Sequence, residues 1–130
     1  MTALEKRIAA TPTFQTFHLK VERVGDGAAI LKAPYSKQYD GIFESFHGGM
    51  LTMLADTAAC LAVLSLAGAD ARITTTDMHI RFLSACRTDA TADARIIKFG
   101  KTLCPVAVSV RDADGSDVAV AQVTYMRLSK

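Results

Sequence analysis

A single acid inside a very apolar segment is the feature of this sequence that could do chemistry. The eighteen residues from Met50 to Ala67 carry one charge, the carboxylate of Asp56. No cation stands three or four residues away, so no neighbour on a helix could neutralise it. A buried, unpaired carboxylate is costly enough that proteins avoid it or use it. Asp56 is therefore a candidate catalytic group. The alternative is a carboxylate that only fixes packing, through Thr52 or a distant arginine.

A histidine and two glycines lie just before this segment, at His47, Gly48 and Gly49. Glycines allow the backbone to approach a ligand closely, and the free N–H groups at a helix start favour negative charge. Such a start, with a carboxylate two turns further along, offers one group for a developing oxyanion and another to activate water or attack. The pattern favours acyl transfer, although a glycine pair also makes plain turns.

The elements that must position these groups are predicted from periodicity. The apolar segment reads as a buried helix beginning at about Met50 and stopped by Gly68. Period-two alternation and turn residues predict strands at 16–24 and 28–33 before it, and at 73–83, 89–97, 102–111 and 117–128 after it, with a short helix at 3–10. We expect one α+β domain over residues 1–130. Because one helix that is apolar nearly all round cannot bury itself on one sheet, we also expect at least a dimer.

Composition excludes several function classes. A net charge of +2, no Trp and only nine aromatic residues argue against a nucleic-acid-binding protein. Three cysteines without a CxxC pair indicate reduced thiols rather than disulfides or a structural metal. The start of the sequence does not read as a secretory signal, and a central Asp would cost a membrane span about 2.5–3.5 kcal/mol. We therefore expect a cytoplasmic protein that is not in the membrane.

Three segments together resemble a known family. HGGMLTMLADTAA, TTDMHIRFLSAC and GKTLCPVAVSVRDADGSDVAVAQVTYMRL are similar to the hotdog-fold acyl-CoA thioesterases of the phenylacetate-pathway type. The resemblance covers roughly residues 16–128, and its most specific part is the nine-residue step from His47 to Asp56. It implies a long helix wrapped by an antiparallel sheet, in homodimers or homotetramers with active sites at subunit interfaces.

The resemblance also implies roles for individual residues. Asp56 would be the catalytic carboxylate, as general base or nucleophile, and the Gly48 N–H would polarise the thioester carbonyl. His47 and Gly49 would shape the turn. Coenzyme A would be part of the substrate, and no cofactor or metal would be needed.

Further substrate contacts follow from the same resemblance. Thr75 matches a hydroxyl that orients water or substrate from the partner subunit, with Thr74 as the alternative register. Arg95, Lys98 and Lys101 surround a turn that often meets the phosphates of coenzyme A, although solvated strand-end charges would look the same.

One position departs from the family. Many relatives carry Asn or Gln six residues before the histidine, as a second donor near the thioester, whereas this chain has Gly41. Gln38 or Ser45 would be the candidates to replace that donor. The departure keeps open a non-catalytic protein that binds acyl-CoA or acyl carrier protein.

Other chemistry is less favoured by the residues. Cys60 shares a helix face with Asp56, but a nearby carboxylate raises the pKa of a thiol and disfavours a thiolate nucleophile. His79 alternates outward on its strand, which predicts a surface or interface position. A hotdog dehydratase is a weaker alternative, because those enzymes place their His and acid pair differently.

Overall fold

The computed structural model describes residues 1–128, which form an antiparallel sheet curved around one long helix. The helices are α1 (Ala3–Ala9), α2 (Pro12–Thr16) and α3 (Gly48–Ala67), with a short 3₁₀ turn at Lys37–Tyr39. The strands are β1 (Lys20–Gly25), β2 (Ala28–Ala33), β3 (Ile73–Phe82), β4 (Ala90–Ile96), β5 (Leu103–Arg111) and β6 (Asp117–Arg127). Their order in the sheet is β1-β2-β4-β5-β6-β3, and every neighbouring pair is antiparallel. The predicted α+β architecture is confirmed.

Small and β-branched side chains form the concave face of the sheet. On β4 the buried residues are Ala90, Ala92 and Ala94, and on β5 they are Cys104, Val106, Val108 and Val110. Alternation along each strand turns these residues to one face, where α3 lies. The alanines leave room for the helix to approach the sheet, and its own Ala55, Ala58, Ala59 and Ala62 are fully buried there.

Helix α3 is a core helix with one side left open. By length and composition it could cross a membrane, but half of its most apolar window is buried inside the fold. Core helices of globular proteins meet the same criterion. Met53, Asp56 and Cys60 follow one another at steps of three and four residues and are only half-buried. They mark the stripe that the chain's own sheet does not cover.

The amino-terminal segment differs from the sequence-based expectation. The first strand was predicted from Thr16, but Pro12–Thr16 forms α2 and β1 begins at Lys20. Pro12 is placed at the start of a helix, where its fixed φ and missing N–H are tolerated. His18 then adopts a φ of 53°, which redirects the chain into the strand. The alternation at Phe17 and Leu19 therefore reports contact with the core, not strand geometry.

Strand β3 lies at an edge of the sheet. It pairs with β6 alone, and the part of the chain that the structure describes places nothing on its other side. The ladder has a bulge between Thr75 and Asp77, where Thr76 is the additional residue. Ten residues of open strand edge are a surface that proteins normally pair or protect.

Candidate active site

The start of α3 is built by His47. The helix begins at Gly48, two residues earlier than predicted, with His47 as its N-cap. The ring Nδ1 of His47 accepts a hydrogen bond from the Gly49 N–H at 2.8 Å. His47 therefore satisfies one of the unpaired donors of the first turn, as an N-cap side chain should.

Close approach of side chains explains the two glycines. A Cβ on Gly49 would lie 3.0 Å from the His47 ring nitrogen that caps the helix, and one on Gly48 would lie 3.3 Å from the Phe82 ring. Neither glycine has a φ in the left-handed region. Space, and not backbone conformation, favours glycine at this helix start.

The Gly48 N–H is the donor that the helix start leaves available. Met50 and Leu51 donate to the His47 carbonyl, and Gly49 donates to the His47 ring. Within residues 1–128, the Gly48 N–H has no acceptor. Gly48 lines a surface cavity of about 640 Å³ together with Gly41 and Ser45. A free amide at a helix N-terminus that faces a cavity suits an oxyanion.

Asp56 is held by two hydroxyl groups. Its Oδ1 accepts hydrogen bonds from the Thr75 hydroxyl at 2.9 Å and from the Tyr125 hydroxyl at 2.7 Å. Thr52 instead donates to the Gly48 carbonyl, so it is not a partner of Asp56. Among the described residues, no arginine or lysine pairs with this carboxylate and no side chain donates to its Oδ2. One oxygen is anchored and the other remains available.

The bulge on β3 determines which of Thr74 and Thr75 faces α3, because the additional residue shifts the alternation of side chains by one position. Thr75 is half-buried and points at α3, whereas Thr74 is exposed. The contact of Thr75 is with Asp56 of its own chain. The expectation that this hydroxyl serves a site shared with a partner subunit stays a prediction, and within one chain the β3 edge beside α3 brings the two residues together.

Tyr125 is the residue that sequence reasoning missed. It lies on β6, is 6% exposed, and is the second donor to Asp56. Burial raises the pKa of its phenol far above the ordinary value, so the group stays protonated and remains a donor. The available signal was a tyrosine at an inward position of a strand, since a buried phenol needs a hydrogen-bond partner.

Cys60 lies one helical turn beyond Asp56. The pKa of its thiol is raised, mainly by burial and to a smaller degree by the charge of Asp56. The raised pKa disfavours a thiolate at Cys60, as the sequence analysis expected. Burial, and not the nearby carboxylate, is the larger cause of the raised pKa. His79 is exposed on β3, as expected from its outward position.

Comparison with known proteins identifies the family. The sequence model described as "Thioesterase superfamily" matches residues 43–119. The chain belongs to the thioesterase superfamily. A Halobacterium salinarum protein named as a candidate esterase is 32% identical over 118 residues, covering 82% of this chain and 78% of that protein.

Solved structures agree with the fold of this superfamily member. A thioesterase family protein from Silicibacter pomeroyi superposes with a TM-score of 0.90 at 23% identity, over 98% of this chain and 97% of that one. A conserved protein from Pseudomonas aeruginosa superposes with a TM-score of 0.86 at 27% identity, over 91% and 94%. The six-stranded sheet around a long helix is thus the predicted hotdog fold.

The matched segment does not include every part of this thioesterase-superfamily chain. It contains Gly48, Asp56 and Thr75, but α1, α2 and Tyr125 lie outside it. The family match therefore covers the positions of Gly48, Asp56 and Thr75 in the chain, but it says nothing about α1, α2 or Tyr125.

The three candidate cations lie apart from the Asp56 cluster, which consists of Asp56, Thr75 and Tyr125. Arg95, Lys98 and Lys101 are exposed at the end of β4 and in the turn after it. The Nε of Arg95 is 3.5 Å from Asp93, and Lys101 lines a cavity of about 600 Å³ with Arg127. Within residues 1–128, none of the three bonds to Asp56, Thr75 or Tyr125.

Proposed function

We propose that this chain is an acyl-CoA thioesterase of the phenylacetate-pathway type, which converts an acyl-CoA and water into a carboxylic acid and coenzyme A. The observation that carries the proposal is the state of Asp56. Its carboxylate lies mid-helix, has no cationic partner among the described residues, and is oriented through one oxygen by two hydroxyl groups.

Two roles are open to the free oxygen of Asp56. As a general base, Oδ2 takes a proton from water, and the water oxygen attacks the thioester carbon. As a nucleophile, Oδ2 attacks that carbon itself, and water then cleaves the resulting anhydride. In both cases the C–S bond breaks and coenzyme A leaves as a thiolate, which takes the proton held by Asp56 in the first route and a proton from water in the second. The Gly48 N–H stabilises the oxyanion, and the chemistry needs no metal or cofactor.

Helix geometry supports a site shared between two subunits. Gly48 and Asp56 are eight residues apart, which is about 12 Å along a helix axis, too far for both to contact one thioester carbon. The Gly48 of one subunit would therefore act with the Asp56 and Thr75 of its partner. The open β3 edge and the exposed side chains of Ile42, Phe43 and Phe82 offer a surface for such a homodimer or homotetramer.

Three exposed cations are the proposed contacts for the phosphates of coenzyme A. Arg95, Lys98 and Lys101 are exposed cations that could meet phosphates. A Streptococcus pneumoniae structure described as a hypothetical thioesterase with coenzyme A superposes with a TM-score of 0.79 at 21% identity, over 90% of this chain and 98% of that one. That likeness is one of fold, and the phosphate contacts remain part of the proposal.

A thiol-release assay tests the proposal. The purified protein is incubated with acetyl-, octanoyl-, palmitoyl-, phenylacetyl- and hydroxylated acyl-CoA, and free thiol is followed with a chromogenic disulfide. We expect turnover of at least one substrate, with loss in the matched Asp56→Asn variant. No thiol release from any member of the panel would reject hydrolysis.

Gly41 favours one second candidate, an acyl-CoA or acyl-carrier-protein binding protein without turnover. The position where many relatives carry a second amide donor has no side chain here, and removal of one such donor costs about 10²- to 10³-fold in turnover elsewhere. Ser45 lines the same cavity as Gly48, whereas Gln38 does not line it. Tight binding of an acyl-CoA by the unmodified protein, with no thiol release, would select this candidate.

A further inference from the structure

A second cavity lies between the amino-terminal helices and the carboxyl-terminal half of α3. Its volume is about 430 Å³, within the range of small-molecule sites. Its apolar wall is formed by Leu4, Ile8, Phe14, Leu61, Leu64 and Ile73, and its polar lining includes Arg7, Thr11, Thr13 and Arg72. We call this space the amino-terminal chamber.

The chamber reaches the Asp56 cluster. Tyr125 lines it, and the hydroxyl of the same residue is 2.7 Å from Asp56 Oδ1. Thr57 and Cys60, which are one residue and one turn beyond Asp56 on α3, line it as well. The chamber and the Asp56 carboxylate therefore share the Tyr125 side chain as a common boundary.

Residues outside the family match close the chamber. No residue of α1 or α2 is fully buried, yet Ile8 and Phe14 turn toward the core and are half-buried. Arg7 fastens α1 to the loop after α3 by donating to the carbonyl groups of Ala69 and Ala71. This wall lies outside the segment that the family model matches, which begins at residue 43.

We propose that the amino-terminal chamber binds the apolar acyl group of the substrate, an aromatic or medium-chain group, and that Ile8 and Phe14 set the size that is accepted. The proposal rests on the proposed thioesterase function. Leu61 and Leu64 are less than 8% exposed and give the chamber an apolar floor. An apolar tail gains free energy there by leaving water, whereas acetyl has little apolar surface to bury.

The pantetheine arm is the competing occupant, and it makes a different prediction. It is common to every CoA thioester, so a wall substitution would then affect acetyl-CoA and octanoyl-CoA equally. If the chamber binds the acyl group instead, a wall substitution changes the ratio of kcat/KM for octanoyl-CoA to kcat/KM for acetyl-CoA. The ratio of the two kcat/KM values is therefore the readout, and a general loss of stability cancels from it.

The chain offers a matched pair of variants. Phe14→Ala removes a chamber wall, whereas Phe17→Ala removes the same side chain three residues later, where the ring packs 5.8 Å from Tyr39 and does not line the chamber. We expect Phe14→Ala to lower the octanoyl-to-acetyl ratio by about tenfold, and Phe17→Ala to leave it unchanged. An equal effect of both variants on the ratio, or no effect of either, overturns the chamber proposal.

A filling variant and a binding measurement complete the test. Ile8→Trp should reduce octanoyl-CoA hydrolysis at least about tenfold while acetyl-CoA hydrolysis is retained. Calorimetric affinities of octanoyl-CoA and acetyl-CoA for Asp56→Asn, with and without Phe14→Ala, give the same ratio without turnover. Absence of turnover in the unmodified protein rejects the proposed function, whereas turnover with unchanged ratios and affinities rejects the chamber alone.

Discussion

At the scale of residues, the important asymmetry is between the two oxygens of Asp56. Thr75 and Tyr125 both donate to Oδ1, which orients the carboxylate and leaves Oδ2 as the atom that the proposed mechanism uses. Two donors on an anionic oxygen give charge-assisted hydrogen bonds, which are stronger than neutral ones. The predictions at this scale concern the acid itself and the residue that positions it.

Replacing Asp56 by Asn should distinguish a catalytic role of this carboxylate from a role in packing alone. The amide oxygen of Asn can still accept from Thr75 and Tyr125, so the melting temperature should change little. The amide cannot act as base or nucleophile, so turnover should fall by about 10²- to 10⁴-fold. Thiol release and thermal unfolding are measured side by side. Asp56→Ala leaves both hydroxyl groups without this acceptor, and its unfolding, together with full activity of Asp56→Asn, would favour a packing role.

Replacing Tyr125 by Phe tests whether the tyrosine positions Asp56. Loss of a hydrogen bond to a charged group, with the ring retained, should lower kcat about tenfold and leave KM unchanged. Thr75→Val should act on the same oxygen, so the two effects should not add in the double variant. Tyr39→Phe is the control, because that ring stacks on Phe46 and has no part in the cluster. A rise in KM without loss of kcat would contradict the assignment.

At the scale of elements, α3 provides two separate functions from one helix. Its first turn presents the Gly48 N–H to a cavity, and its middle presents Asp56 on the side that the sheet leaves open. His47 caps the first turn so that Gly48, and not Gly49, keeps a free donor. The direction of the helix thus leaves a single amide group as the oxyanion donor of the proposed mechanism.

Gly48→Pro removes that amide hydrogen and also places a Cβ about 3.3 Å from the Phe82 ring, as Gly48→Ala does. Proline is favoured at the first position of a helix, and His47, with a φ of −57° and a ψ of 135°, has the extended backbone that precedes proline. We expect turnover to fall by about 10²- to 10³-fold while the melting temperature is maintained. Gly48→Ala is the control, since it adds the same Cβ near Phe82 and keeps the N–H. Equal losses in the two variants would assign the effect to crowding.

At the scale of the whole molecule, the proposed site is incomplete in one chain. The sheet ends in the unpaired β3 edge, and α3 keeps a half-buried stripe that includes Asp56. In the proposed homodimer, the Gly48 of a second copy would approach these two features. Pairing two copies would bury apolar side chains and also bring the donor of one chain to the acid of the other.

Mixing two inactive variants tests this assembly. Gly48→Pro and Asp56→Asn chains are unfolded together and refolded as a mixture. In a shared site, each mixed dimer has one site with both native groups, so about a quarter of the native activity should return. Each variant refolded alone is the control. A mixture that stays inactive while light scattering shows dimers would place both groups in one chain's site.

The sequence by itself determined the order of elements and the chemistry of the central helix. Two strands, one long helix and then four strands follow from periodicity, because successive side chains along a strand alternate between its two faces, whereas those of α3 are apolar nearly all round. Asp56 was recognisable because a charge in such a segment is costly. The second helix was missed, since the spacing of Phe17 and Leu19 fits core contact in either conformation.

Only the tertiary structure decided which groups meet. Tyr125 is 69 residues from Asp56, and no local pattern connects a strand tyrosine to a helix acid over that distance. The choice of Thr75 over Thr74 depends on a bulge, which changes the face of a strand by one residue. The chamber exists because α1 and α2 fold back on α3. Such contacts are set by packing between distant segments, whereas periodicity reports only which side of an element is buried.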